Sequence, residues 1–177
     1  KKAMKGHVDL LGPASEVQAE LMGIPSFETP DYSELFAEEK EMIGKLKKAF
    51  LMVAGGAVQK YGPDLDGHQQ LLMAAADILI EIYMAESTIL RTEKLAKTKG
   101  EAAVKEQIAM AQLYLYKAVD IITQKGKEGI VSFAEGDEQR MMLMGLRRYT
   151  KYTNMPNVIG LREIITSKLV AENAYCF

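Results

Sequence analysis

The chain has 177 residues, 48% of them apolar and 26% charged, with a formal net charge of −2; that is enough for one domain, or a domain plus an arm, around a real core. The near-neutral balance excludes the basic field that would mark binding to nucleic acid or to an anionic membrane. The single cysteine, Cys176, cannot close an internal disulfide, and no signal or transit peptide is legible, so a reducing, cytoplasmic location is expected.

The first stretch, KKAMKGHVDLLGPASEVQAELMGIPSFETPDY, reads as an arm over residues 1–32. Its Lys1-Lys2-Ala3-Met4 opening lacks an initiator Met, as expected of a piece of a longer chain. A short helix over Lys1 to Leu11 is expected to end near Gly12-Pro13, and Pro13 then suits the first turn of another through Leu21. Gly23, Pro25 and Pro30 mark a connector.

Residues 33–177 read as a bundle. Asp31 and Glu34 form a loose capping box before a long helix striped by Ile43, Leu46, Phe50, Val53 and Ala57, at spacings of three and four. Gly62-Pro63 stops it. Asp66, with Gln69 in the capping-box position, starts the next helix, striped by Leu71, Ala75, Ile78, Ile82, Ala85 and Ile89 and running to about Lys97. A third spans Glu101 to about Gln124 on Val104, Ile108, Ala111, Leu115, Ala118 and Ile122. KGKEGIVSF then reads as a turn, with Ser132 and Glu135 capping a fourth helix that carries Met141, Met142, Leu146 and Tyr149. TNMPN separates it from a fifth, through Leu161, Ile164, Ile165 and Leu169. No strand pattern appears, so the expected fold is all-α, an up-and-down bundle of about four to five helices with an N-terminal arm.

Leu71 to Leu90 is nearly all apolar, but its longest unbroken run, Leu71 to Ala76, is six residues, against about 20 for a membrane span. Three carboxylates interrupt it. Asp77 projects away from the stripe and Glu81 onto its flank, whereas Glu86 falls close to the stripe and must reach solvent, pair with a cation or sit at an interface. Structural pairing is the expectation, because no second reactive group converges with it.

Other candidates point the same way. A carboxylate-bridged di-metal site wants Glu-x-x-His pairs, and neither His7 nor His68 follows a Glu by three. Asp64 to Gly67 (DLDG) resembles a calcium loop without its later Glu, so helix capping is the better reading. Gly55-Gly56 lacks the Lys-Ser/Thr of a phosphate loop and suits close helix approach. His68 is expected to be exposed or capping. Tyr114 and Tyr116 straddle a seam position and could cover an interface. Met141, Met142 and Met144 read as adaptable core, with a peptide groove as the alternative. Lys45, Lys47 and Lys48 read as a solvated face, and Cys176 as incidental. No catalytic, cofactor-binding or metal-ligating residue is assigned.

The stretch GHQQLLMAAADILIEIYMAESTILRTEKLA, Gly67 to Ala96, resembles the extra C-terminal helical domain of acyl-CoA dehydrogenases of the very-long-chain class, in its Gln-Leu-rich entry, its AD-I-I-IY middle and its Ser/Thr-x-Leu-Arg exit. The arm is similar to the passage just downstream of that family's dehydrogenase core. The resemblance implies a parent flavoprotein that binds FAD and oxidises the Cα–Cβ bond of a fatty acyl-CoA. Its glutamate base and its flavin- and CoA-binding residues lie upstream of the matched part, and its Glu-Gly-Thr stretch is absent here. The implied role is a non-catalytic domain of an FAD-dependent enzyme, without cofactor of its own. Its implied partners are the catalytic core and further copies in a homo-oligomer, with acyl-CoA the substrate of the parent. Relatives attribute membrane association to a basic, glycine-rich segment; here Glu16, Glu20, Glu28 and Asp31 offset Lys1, Lys2 and Lys5, which argues against it. The alternative is a freestanding helical module for protein–protein interaction. A missing core predicts an exposed apolar face.

Overall fold

The stripes find their partners in neighbouring helices of one bundle. In the computed structural model, which describes residues 9–23 and 31–177, these are α1 (Leu11–Met22), α2 (Ala37–Tyr61), α3 (Gln69–Lys99), α4 (Lys105–Phe133), α5 (Gly136–Tyr149) and α6 (Val158–Glu172). Short 3₁₀ turns, Gly62–Gly67 and Glu101–Val104, join α2 to α3 and α3 to α4. No strand occurs among the described residues. The ion pairs Lys40–Glu93 and Lys47–Glu86 make α2 and α3 antiparallel. Asp77–Lys125 and Glu81–Tyr114 do the same for α3 and α4, the most extensive contact in the fold. α1 lies along α2, α5 packs on α2 and α4, and α6 packs principally on α4.

The expected stripes form one core. Leu46, Val53, Ile78, Ile82, Ile89, Leu115, Ala118 and Ile122 are all buried, and Phe50, Ala75 and Ile108 sit half-buried at its edge. Burial of such a seam, rather than propensity, holds helices of this length together.

Several boundaries differ from expectation. Leu11, Gly12 and Pro13 open α1 instead of ending a helix; the Asp9 carboxylate takes the Gly12 N–H at 2.9 Å. His7 and the connector prolines Pro25 and Pro30 lie outside the described residues. α2 begins at Ala37, because Asp31 accepts from the Ser33 N–H (2.9 Å) and hydroxyl (3.1 Å), closing a local turn. The residue before α2 is Phe36, buried and in the left-handed region at φ 64°; burial of its ring holds a conformation that Phe rarely adopts. At α3, Gln69 donates its side-chain amide to the Asp66 carbonyl at 2.6 Å, so Asp66 closes the 3₁₀ turn and the helix starts at Gln69.

The largest correction falls on KGKEGIVSF. It is not a turn: α4 continues to Phe133. Gly126 and Gly129 are buried, and a Cβ on Gly126 would stand 2.7 Å from Leu146 Cδ1 and one on Gly129 3.0 Å from Val53 Cγ1. These glycines admit neighbouring side chains instead of breaking the helix. Ser132 does not cap α5; its hydroxyl donates to the Gly129 carbonyl at 2.6 Å within the last turn of α4. Gly100 (φ 85°) does end α3, as its place in TKGE suggests.

Candidate functional site

Asp77, Glu81 and Glu86 of α3 each have a partner. Glu86 meets Lys47 at 2.6 Å, both side chains part-exposed. Asp77 lies 3.7 Å from Lys125, which also pairs with Glu128 at 3.0 Å. Glu81 accepts from the Tyr114 hydroxyl at 2.9 Å. Burial, and then that hydrogen bond, pushes the Tyr114 phenol up to about 12, since both disfavour the phenolate. The partners of the three carboxylates are two lysines and a phenol, not a second carboxylate or a histidine.

The basic run is likewise engaged. Lys45 pairs with Glu41, which also accepts from Tyr32, and Lys48 pairs with Glu20 of α1 at 2.6 Å. With Lys47–Glu86, the adjacent residues Lys47 and Lys48 of α2 tie it to α3 and α1. His68 has no capping bond; its ring stacks on Tyr61 at 3.5 Å. Tyr116 stacks on Tyr152 at 6.3 Å. Met142 is core, but Met144 is 73% exposed and does not belong to it. Gly55-Gly56 does admit close approach, from α1 and from Phe133 and Met142. Cys176 is a half-buried free thiol. No group of three His, Cys, Asp or Glu is placed to hold a metal ion among the described residues. No described helix is long and apolar enough to cross a membrane.

What the molecule presents outward is apolar. Met73, Leu79, Ile80, Tyr83, Met84 and Leu90 are all exposed, Ile80 by 56% and Tyr83 by 67%. At 100° per residue they form a second stripe on α3, turned away from the one that faces the core. Leu79 also belongs to a groove of ≈ 220 Å³ between α2 and α3, walled by Phe50, Ala54, Val58, Leu65 and Leu72. A ledge of ≈ 530 Å³ between α4 and α5 is lined by Val131, Leu143 and Leu146, with Lys127 and Arg147 at its edge. Contiguous apolar surface of this kind marks a contact with another protein surface. The sequence carried a sign of it: α3 is apolar nearly all round, which a helix bound on one side only does not need.

Such a molecule is an all-helical packing domain, with an apolar core, charges paired between its helices and apolar surface left open outside. Residues 45–148 match the family model "Acyl-CoA dehydrogenase, C-terminal domain", and the chain belongs to that family. A "Probable acyl-CoA dehydrogenase" of Bacillus subtilis (strain 168) is 37% identical over 172 residues, covering 97% of this chain and 29% of the relative. A solved structure, an acyl-CoA dehydrogenase complexed with FAD from Bacillus anthracis, superposes with a TM-score of 0.89 at 39% identity, over 99% of this chain and 30% of that one. The chain thus spans under a third of the length of these relatives.

Proposed function

We propose that this chain acts as the C-terminal helical domain of a longer, FAD-dependent acyl-CoA dehydrogenase of fatty acid oxidation, packing on the catalytic core and shaping its oligomer. In this reading residues 1–32 lead in from the core, residues 33–177 form the domain, and acyl-CoA is the substrate of the whole enzyme. The observation that carries it is the division of the surface: carboxylates and lysines of α2, α3 and α4 pair between helices, while the α3 stripe and the α4–α5 ledge stay largely apolar and open.

The described residues do not fit a flavin. The groove is apolar except for Asp66, whose carboxylate opposes a diphosphate. On the ledge, Lys127 and Arg147 have the right sign, but the neighbouring Thr123 and Thr150 hydroxyls donate to their own helices, to Val119 and Leu146 at 2.7 and 2.9 Å. The flavin is therefore assigned to the core, and no catalytic step to this chain.

The test is to purify the gene product that carries this chain and follow the flavin absorbance while acyl-CoA is added. Bleaching is the expected result. A colourless protein inert to acyl-CoA would overturn the reading in favour of a freestanding interaction module.

A further inference from the structure

The groove between α2 and α3 already has the chain at its mouth. Leu10, half-buried, forms part of its wall together with Val58 and Leu65. The backbone brings it there: Lys48 pairs with Glu20 and Gly55 faces Ala14, so α1 runs antiparallel to α2 and starts at the C-terminal end of α2. From that end the groove extends back along both helices to Phe50 and Leu79, with a free volume of ≈ 220 Å³. That is room for two aliphatic side chains, since a cavity of about 150 Å³ holds one benzene-sized group.

The sequence leading up to Leu10 has the pattern that such a groove takes. In MKGHVDL the even positions are Met4, Gly6, Val8 and Leu10, and the odd ones, Lys5, His7 and Asp9, are polar. Alternation with a period of two gives an extended chain one apolar edge. Asp9 accepts the Gly12 N–H where α1 begins at Leu11, so the residues before Asp9 stand outside that helix. We propose that the groove is the seat of residues 4–8 of this chain, laid in extended form with Met4 and Val8 inward and Lys5 and His7 outward.

The lengths agree. Phe50 to Val58 spans about 12 Å of helix at about 1.5 Å per residue, and Met4 to Val8 spans about 13 Å of extended chain at about 3.3 Å per residue. Ala54, Ala75 and Ala76 line the middle of the groove, where Gly6 allows the backbone to lie close. Covalent attachment selects this occupant over a separate protein, because residues bonded to Leu10 are held at an effective concentration on the order of millimolar. The consequence is a fixed joint: the chain upstream of Met4 meets the domain along a set line and not through a free hinge. This inference goes beyond the dehydrogenase reading and does not depend on it.

The test follows trypsin cleavage after Lys5 in the full gene product by mass spectrometry, each rate divided by that of a synthetic peptide carrying the same residues. A seated segment is cut only after it leaves the groove, so the rate tracks the open population. Val8→Ser removes an inward side chain, and Leu79→Asp puts a charge on the exposed lip of the groove. Each should raise the rate about ten-fold. The two combined should raise it little further, because both undo the same contact. Ile80→Asp, exposed beside Leu79 but outside the groove, is the control and should leave the rate unchanged. Far-UV circular dichroism checks that each variant is folded. An unchanged rate in Val8→Ser or Leu79→Asp overturns the proposal, and so do effects that multiply independently in the double variant. Equal acceleration by Ile80→Asp also overturns it, since protection then comes from a partner on the outer face of α3. A colourless gene product with the expected cleavage pattern supports the seat while removing the dehydrogenase reading.

Discussion

Gly55 is the point at which α1 is held against α2, and one methyl group tests it. A Cβ placed on Gly55 stands 2.3 Å from the Ala14 Cβ. Alanine has no rotamer with which to yield, so α1 must retreat by at least about 1 Å to reach ordinary contact. Two effects of Gly55→Ala then compete. Replacing a helical glycine gains about 0.5–1 kcal/mol. Overpacking costs about 1–3 kcal/mol, because the retreat loosens Ala14 and Val17, both 5% exposed, together with Leu21. The cost wins: a net loss of about 1 kcal/mol is expected, or a fall in Tm of about 2–4 °C for a chain of this size. The companion Ala14→Gly removes the opposing methyl at a cost of its own. The double variant restores the space, so the two changes should couple favourably by about 1–2 kcal/mol in urea unfolding. Hydrogen exchange should place the loss in α1, with α3 and α4 amides unchanged, since α1 packs on α2 alone among the major contacts. A Gly55→Ala protein that is more stable, with α1 protection intact and the pair additive, would refute the close approach.

Glu86→Gln in the full gene product should lower stability by under about 1 kcal/mol, more at low salt, because Lys47 and Glu86 are both part-exposed; the rate of flavin reduction should not change, and a collapse of turnover at constant flavin and assembly would refute a structural role. Tyr149→Phe should raise Tm by about 2–4 °C, since the buried Tyr149 hydroxyl has no partner among the described residues and its removal relieves about 1 kcal/mol of desolvation; calorimetry decides. Tyr114 should make stability fall with rising pH between about 10, where an unfolded tyrosine ionises, and its folded value of about 12. The sign follows from the raised value: the unfolded chain loses the proton first, so the advantage is complete below pH 10 and gone above 12. Urea titrations over that window should show a shallower slope in Tyr114→Phe.

The seams were legible because a buried helix face must repeat at 3.6 residues, and Ile78, Ile82, Ala85 and Ile89 obey that whatever lies opposite. The helix ends were not. Ser132 and Glu135 have the spacing of a capping box, but Ser132 lies in the last turn of α4 and Glu135 itself stands at the N-cap of α5, and Asp31 bonds two residues ahead instead of starting α2. Gly126 and Gly129 were misread for a related reason. A glycine is either a place where the backbone bends or a place where something else comes close, and only the neighbour, here Leu146 or Val53, tells which. The partner of Glu86 was equally hidden: the sequence asks for solvent, a cation or an interface, and the antiparallel register of α2 and α3 selects Lys47. The outward stripe of α3 was written in Ile80, Tyr83 and Met84, but a single chain does not say that an apolar face stays uncovered.

α6 contributes no fully buried residue and joins α5 through the non-helical run 150–157. The core from α2 to α5 is complete without α6, which lies over it against α4. Its opening free energy lies well below that of the core. A chain ending after Pro156 therefore keeps a single cooperative transition, and in the intact protein the amides of α6 exchange before those of any seam helix.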